Sequence, residues 1–430
     1  MVWKSSAINL TIKAISAGSI FGLYFILEKE EYAKFGIYYA ILTGVVAFSQ
    51  SGLFELGASA RDSSEITRSI YLKSLILRLL DLFFKSSAAL FLTGLILVIV
   101  KSNFMPYGIV FFALSIGIIF AAGNTLANLF RLTDDITLGV TVLVMFIALS
   151  SVGFLVGARA GHTAQSSIQG AAIIGFVSIF SFYLFNFRKI IFFQKIKLLA
   201  KKNTTILIDY TLISVFGWLA GYGMNLFIYF ILTTELVAEY FLIYSSIAAM
   251  GLITASINNS WAPRFIFEHH NNPDRAARKN RKIFLIELLI VTVLSLVILF
   301  IAIFLKDYNK SKSAVIIWKN IEYIGLSLAT ITISIPWWCI QNYYTRDGIS
   351  GDYKRLVLSS SFVGLATWIS LIYFFKIDGL YIGLFLNSAI KTILFIKGSK
   401  SLYPVDALLS ESTIASSVII IVGYCIHILF

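Results

Sequence analysis

Charged and amide side chains inside otherwise apolar stretches are the residues of this chain that could bind a cargo. In the first such stretch, Asn9, Lys13, Ser16 and Ser19 recur at intervals of four, three and three residues. This spacing puts them on one face of an α-helix. If the stretch crosses a membrane, Lys13 faces a polar cavity, or its long side chain extends to the nearby lipid headgroups. Both interpretations stay open.

Two later stretches carry more basic than acidic residues. Arg78, Asp81 and Lys85 share a helical face, so the carboxylate can pair with one cation while the other keeps its charge. Arg131 follows Asn128 by three residues near the end of the next stretch. An arginine at such a place is either an anchor at the membrane interface or a ligand for an anion.

Polar residues also occur in the second half of the chain. We predict as substrate-binding residues those whose side chains would lie inside the membrane: Lys13, Arg78, Lys85, Arg131, Asn225 and Lys391. The carboxylates Asp81 and Asp209 are the candidates for coupling to an ion. Because the unpaired charges are mainly basic, a cavity that they line would be electropositive and would favour an anionic cargo such as a phosphate ester.

An enzyme centre is not expected. The four histidines have no serine or cysteine partner and no metal-ligand spacing, and Cys339 and Cys425 lie in apolar surroundings. No glycine-rich loop matches a nucleotide-binding motif. We therefore expect no cofactor, no metal and no catalytic residue, and transport driven by a gradient, the membrane potential or the cargo's own concentration ratio.

The elements that position these residues are transmembrane helices. Of the 430 residues, 58% are hydrophobic and 13% charged, which excludes a water-soluble fold. Long continuous apolar runs also exclude the alternating pattern of a β-barrel. Thirteen spans of about 20 residues are predicted, at 8–27, 33–57, 75–100, 105–130, 137–157, 166–187, 206–232, 237–260, 283–305, 319–343, 355–375, 379–396 and 412–430.

Basic residues determine the predicted orientation. The net charge of +13 lies mainly in loops, which argues against a nucleic-acid partner. The two richest loops, 188–202 and 264–282, fall on the same side when the N-terminus is cytoplasmic. The short outer connections leave no room for a catalytic external domain. The first span keeps Lys13 and lacks a cleavage site, so we expect it to remain as a helix.

An internal repeat divides the chain. Residues 33–39 resemble residues 238–244 at an offset of 205, and the span order agrees with that offset. The predicted fold class is therefore an all-α polytopic membrane protein of 12–13 transmembrane helices, in two six-helix lobes around a central cavity. The predicted domains are an N-terminal lobe at 1–190, a basic cytoplasmic linker at 191–205, a C-terminal lobe at 206–397 and a last segment at 398–430.

The motifs of the N-terminal half resemble those of Wzx-type polysaccharide flippases. They are Phe21-Gly22-Leu23, the Tyr-rich segment 31–38 and the segment 52–61, and the likeness recurs at 238–244 and 258–263. In layout the chain resembles the multidrug/oligosaccharidyl-lipid/polysaccharide exporter superfamily. No family site motif matches residue by residue.

The resemblance implies a function. A Wzx-type protein moves an oligosaccharide on undecaprenyl diphosphate from the inner to the outer leaflet of the bacterial plasma (inner) membrane, for O-antigen lipopolysaccharide or another surface polysaccharide. It implies membrane lipids, a polysaccharide polymerase and chain-length proteins as partners. Two alternatives stay open: a drug/cation antiporter of the same superfamily, which should carry buried carboxylates, and a membrane polysaccharide polymerase, which should carry a large external loop.

Overall fold

The computed structural model describes residues 2–50, 52–58, 65–100, 105–133, 135–194, 204–307, 320–347, 350–400 and 403–429. These residues form helices, and no strand occurs among them. The helices of the first half are α1 (Val2–Leu23), α2 (Lys29–Gln50), α3 (Leu53–Ala58), α4 (Glu65–Val100), α5 (Met105–Leu132), α6 (Ile136–Leu143), α7 (Leu149–Gly161) and α8 (Ala164–Gln194). Those of the second half are α9 (Thr204–Leu219), α10 (Met224–Ile231), α11 (Thr234–Asn271), α12 (Pro273–Asp307), α13 (Ile321–Asp347), α14 (Ser350–Ser399) and α15 (Asp406–Leu429).

The apolar composition explains why the chain is helical. In a bilayer no water satisfies the backbone N–H and C=O groups, and a helix bonds all of them within one segment. Within the described residues, ten helices are long and apolar enough to cross a membrane, or eleven when Thr234–Ser245 and Met250–Asn271 count as one bent span. The all-helical, many-span fold predicted from the sequence is therefore confirmed.

The difference between ten or eleven spans and the predicted 12–13 has two sources. Helix α14 contains two predicted spans, because its helical run is broken only at Lys376, where φ is 51° and ψ is −116°. The second source is helix α1, whose apolar part, Leu10–Leu23, is shorter than a full span. Every one of the thirteen predicted spans overlaps a helix of the structure.

Contacts divide the chain into two compact units. The first contains Trp3–Ala238 and the second Glu239–Phe430. Helices α9 and α10 belong to the first unit, where the Trp218 indole donates a hydrogen bond to the Ala40 carbonyl at 2.9 Å. Most of the predicted linker at 191–205 lies outside the described residues, so the predicted domain boundaries stay a prediction.

Small residues bring α7 and α8 of the first unit together. A Cβ atom on Gly153 would lie 2.7 Å from Ala171 Cα, closer than carbon atoms can approach. Small residues at helix interfaces let backbones approach in membranes, where packing rather than the hydrophobic effect drives association. Ser151 on α7 also donates a hydrogen bond to Ser16 on α1 at 2.8 Å. These contacts fix the polar face of α1 within the unit.

The second unit contains helices whose regularity is interrupted. Pro336 lies inside α13, where its ring removes a backbone donor and the normal i to i−4 hydrogen bond. Helix α13 approaches α15 at a glycine pair, where a Cβ on Gly325 would lie 3.4 Å from Gly423 Cα, an ordinary contact distance. The contact at this glycine pair is therefore looser than the one at Gly153.

Candidate functional site

Lys13 and Arg131 form the basic centre of the first unit. Lys13 is half-buried on α1, next to the buried residues Ile12 and Ser16. Arg131, half-buried at the end of α5, donates a hydrogen bond to Asn128 Oδ1 at 2.6 Å and lies close enough to Lys13 to act on it electrostatically. Among the described residues, Lys13 has no hydrogen bond or ion pair. Two cations that approach each other inside a bundle make an electropositive region.

The basic face of α4 has a different character. Lys85 donates a hydrogen bond to Asp81 Oδ2 at 2.7 Å, and the Tyr183 hydroxyl on α8 donates to Asp81 Oδ1 at 3.0 Å. The side chain of Lys85 is 64% exposed, so it lies on the surface of the unit. Arg78 is half-buried one turn away. Asp81 is therefore bonded to Lys85, and Arg78 is the more buried of the two cations of this face.

Asp209 and Asn225 lie on the two halves of a broken span. Helix α9 carries Asp209, which is 2% exposed, and α10 carries Asn225, which is fully buried. Between the helices, residues 220–223 form tight turns in which Gly221 and Gly223 both donate to the Trp218 carbonyl. Both amide atoms of Asn225 are enclosed and have no hydrogen-bond partner in the described part of the chain.

Lys391 is the basic residue of the second unit predicted to bind a substrate. It is half-buried on α14, and Asn387, one turn earlier, is 1% exposed. In the described ranges Lys391 makes no hydrogen bond or ion pair, and the Asn387 Oδ1 atom is enclosed without a partner. Two polar groups on one face of α14 thus keep unused bonding capacity inside the unit.

A cluster of three asparagines was missed by the sequence analysis. Asn280 Oδ1 accepts hydrogen bonds from Trp261 Nε1 at 2.8 Å and from Asn342 Nδ2 at 3.2 Å. Asn342 Nδ2 is also 3.0 Å from Asn258 Oδ1, and Asn280 Nδ2 donates to the Cys339 carbonyl at 3.0 Å. The bonds join α11, α12 and α13. No sequence spacing links these positions, so only the fold identifies the cluster.

Glu287 was also missed, although the sequence carried a signal for it. It is the single acidic residue in the run 283–305 and is 4% exposed on α12. An ionisable residue in a span is expensive and marks a functional site by default. Because the unpaired charges of the spans are mainly basic, Glu287 was not among the predicted site residues.

Charged residues at one end of the second unit are held by partners. The Arg346 guanidinium bonds to Asp347 and to His269, and the Tyr403 hydroxyl donates to Asp347 Oδ2 at 2.9 Å. Burial, together with this bond to Asp347, raises the pKa of Tyr403 above its usual value. The Tyr343 and Tyr403 rings stack at 4.9 Å. These groups fix the end of the unit and have little capacity left for a ligand.

The described residues contain no group of three or more His, Cys, Asp or Glu side chains that could hold a metal ion. The sites of this chain therefore consist of separate cations, amides and carboxyls. Such groups can bind and release a charged or polar cargo.

Comparison with known proteins identifies the fold. No family model and no curated protein matches the chain. Solved structures match at full length: a MOP superfamily transporter from Pyrococcus furiosus has a TM-score of 0.62 and 15% identity, covering 95% of this chain and 96% of its own. The chain has the fold of the MOP superfamily transporters. An outward-facing multidrug resistance MATE family transporter has a TM-score of 0.61 and 13% identity, and the match covers 95% of this chain and 96% of that transporter.

The same fold occurs in a eukaryotic transporter. A eukaryotic MATE transporter has a TM-score of 0.58 and 13% identity, covering 97% of both chains. The MATE-like fold has two six-helix lobes, as predicted from the sequence. These neighbours are transporters and not enzymes. At such low identity they establish the fold and leave the cargo to be argued from the residues.

Proposed function

We propose that this chain is a membrane transporter that works by alternating access and moves an anionic, lipid-linked cargo. Its fold is that of solved membrane transporters, and transporters built from two related lobes work by rocking one lobe against the other. The observation that carries the choice of cargo is the pair Lys13 and Arg131, two cations within electrostatic range inside the first unit. A diphosphate supplies the negative charge that removes their mutual repulsion.

The cargo that fits this chemistry is an oligosaccharide on undecaprenyl diphosphate, as the resemblance to Wzx-type flippases implies. The proposal includes flipping from the cytoplasmic to the periplasmic leaflet of the inner membrane, with the N-terminus cytoplasmic. Polysaccharide polymerase and chain-length proteins would act on the delivered unit. Moving about two negative charges out of a cell across 100 mV releases roughly 4 to 5 kcal/mol, which favours export.

A drug/cation antiporter is the second candidate, and the comparisons support it better than the flippase. A neighbour of this fold is described as a multidrug resistance transporter. Two buried carboxyls, Asp209 and Glu287, give this chain groups that could attract a cationic cargo. The two candidates therefore differ in the charge of the residues that bind the cargo. Cations would bind a lipid diphosphate, and carboxyls would bind a cationic drug.

Transport by the purified full-length chain in proteoliposomes distinguishes the candidates. We expect a fluorescent polyprenyl-diphosphate oligosaccharide to reach the opposite leaflet faster than in protein-free vesicles, and a cationic dye to show no protein-dependent flux. The reverse result, dye flux without lipid flipping, would favour the antiporter. Movement of neither cargo would contradict both proposals.

A further inference from the structure

The first turns of α12 carry a cluster of basic residues at the boundary of the membrane. Residues 273–282 contain five basic side chains and one acidic side chain, Asp274. The run 283–305 that follows carries no charge except Glu287. At 1.5 Å per residue that run is about 34 Å long, which is enough to cross the hydrocarbon core of a bilayer. The cluster therefore lies at the height of the lipid headgroups.

Two of the five cations are neutralised by neighbouring helices. Lys279 forms an ion pair with Glu268 on α11. On the other flank, Arg281 Nη2 lies 3.0 Å from Glu411 Oε1 on α15. The two pairs connect α12 to its neighbours within the second unit, and their charges need no further partner.

The other three cations, Arg275, Arg278 and Lys282, lie on the outward face of α12. All three are exposed, and within the described ranges their side chains make no ion pair or hydrogen bond. They recur at intervals of three and four residues, at which like charges on a helix repel each other. Arg275 also lies in the first turn, where the helix dipole disfavours a cation. An anion bound to this face offsets both effects.

An apolar stripe continues the same face into the membrane. After Lys282, the residues Leu285, Leu289 and Val293 follow at intervals of three, four and four, so they share the face of the three cations. All three are exposed at the surface of the unit, and Leu289 is 64% exposed. A row of cations directly above an exposed apolar stripe matches an anionic headgroup above acyl chains. A water-soluble anion would account for the cations and leave the stripe unexplained.

We propose that the outward face of α12 is a binding site for an anionic phospholipid of the bilayer. Its phosphate lies between Arg278 and Lys282, and an acyl chain lies along Leu285 and Leu289. The segment 264–282 is predicted to be cytoplasmic, and the anionic lipids of the cytoplasmic leaflet attract basic segments. The inference goes beyond the proposed function, because it holds for any cargo.

The test is a titration of the full-length chain, in micelles of a neutral detergent, with fluorescent dioleoyl phosphatidylglycerol. We expect the double variant Arg278→Gln/Lys282→Gln to raise the lipid Kd about tenfold, equivalent to about 1.4 kcal/mol. The matched control is Arg188→Gln/Lys189→Gln, which removes two exposed cations from α8 in the other basic segment predicted to be cytoplasmic. The control should change the Kd less than about twofold. Equal increases in both variants would overturn the proposal, since any cation at the interface would then serve.

Competition identifies the occupant. Unlabelled dioleoyl phosphatidylglycerol should displace the probe, whereas inorganic phosphate and dioleoyl phosphatidylcholine at the same concentration should not. Displacement by inorganic phosphate as effective as that by the lipid would show a site for free anions and overturn the proposal. Stronger displacement by a polyprenyl diphosphate would show a site for the cargo and also overturn it.

Thermal unfolding gives a second, independent readout. A ligand that binds the folded state raises the unfolding temperature. Phosphatidylglycerol should therefore raise the midpoint of the wild type and of the α8 control more than that of Arg278→Gln/Lys282→Gln. Without lipid, the three proteins should unfold at similar temperatures, because the substituted side chains are exposed. The same lipid-induced rise in all three would contradict a site on α12.

Discussion

The two units of this chain arrange their interior polar groups differently. In the first, the cations Lys13 and Arg131 approach each other within the bundle. In the second, the interior contains the bonded asparagine cluster, the carboxyl of Glu287 and one cation, Lys391, which has no ion pair among the described residues. Each charged group inside a membrane has a free-energy cost that some ligand or partner must offset.

This difference indicates separate roles for the two groups of residues, cargo binding for the cations and stability for the asparagine cluster. Under the proposed function, the anionic cargo offsets the repulsion between Lys13 and Arg131 in the first unit. In the second unit the asparagine cluster joins three helices through its hydrogen bonds, so it stabilises the fold. Stability of the second unit should therefore depend on this cluster, and transport should depend on the interior cations.

The largest effect is expected from Asn280→Ala in the second unit. The change leaves Trp261 Nε1 and one Asn342 donor without their acceptor and removes the donor to the Cys339 carbonyl. Unmade buried hydrogen bonds cost 1–3 kcal/mol each, so we expect the free energy of unfolding to fall by about 3 kcal/mol. It can be measured by denaturant titration in detergent micelles.

The matched control for this change is Asn186→Ala in the first unit. The Asn186 side chain bonds to the Phe182 carbonyl of its own helix, at 2.9 Å. Its loss should cost about 0.5 kcal/mol. Equal destabilisation by both changes would contradict a special role of the asparagine cluster in stability, since the cluster would then contribute no more than a local hydrogen bond.

A smaller effect is expected from Gly153→Ala, which tests the tight contact between α7 and α8. The added Cβ would lie 2.7 Å from Ala171 Cα and 2.9 Å from the Gly170 carbonyl, so the helices must separate. Overpacking of this kind costs about 2 kcal/mol. The midpoint temperatures of thermal unfolding of Gly153→Ala and Gly325→Ala, each measured against the wild type, check this prediction.

Gly325→Ala serves as the control in the second unit, since its Cβ would meet Gly423 Cα at 3.4 Å. Alanine has the better helix propensity, so a slight stabilisation of about 0.5 kcal/mol is expected there. A larger loss in Gly325→Ala than in Gly153→Ala would contradict the conclusion that the helix contact at Gly153 is the tighter of the two.

The third prediction concerns transport. We expect Lys13→Ala and Lys391→Ala to lower the initial rate of cargo movement about tenfold, equivalent to about 1.4 kcal/mol, because each removes an interior cation without an ion pair. Lys85→Ala should have a smaller effect, since Lys85 is exposed and bonded to Asp81. Rates are compared at equal amounts of inserted protein. Full activity in Lys13→Ala and Lys391→Ala would remove the basis for an anionic cargo.

Much of the fold could be predicted from the sequence. Every predicted span overlaps a helix, because a stretch of about 20 apolar residues has one stable form in a bilayer. The break in the span at 206–232 was not predicted, although Gly221 and Gly223 mark it. Hydropathy reports the length and the apolar character of a run of residues, and a turn inside an apolar run changes neither.

The site was predicted less completely. The sequence singled out Lys13 and Arg131 separately, and only the structure brings them within electrostatic range. Hydropathy does not give the rotation of a helix about its axis, so the exposed position of Lys85 could not be known. The asparagine cluster joins three helices far apart in the chain, which no local spacing reveals.

The most direct test of the electropositive first unit is the charge reversal Lys13→Glu, assayed for both cargoes in proteoliposomes. The new carboxylate would lie near Arg131 and neutralise it. We predict that flipping of the polyprenyl-diphosphate oligosaccharide falls at least about tenfold below the wild type, and that Lys13→Arg, which keeps the charge, remains active. Unchanged flipping by Lys13→Glu, in protein that is correctly folded and inserted, would contradict the account.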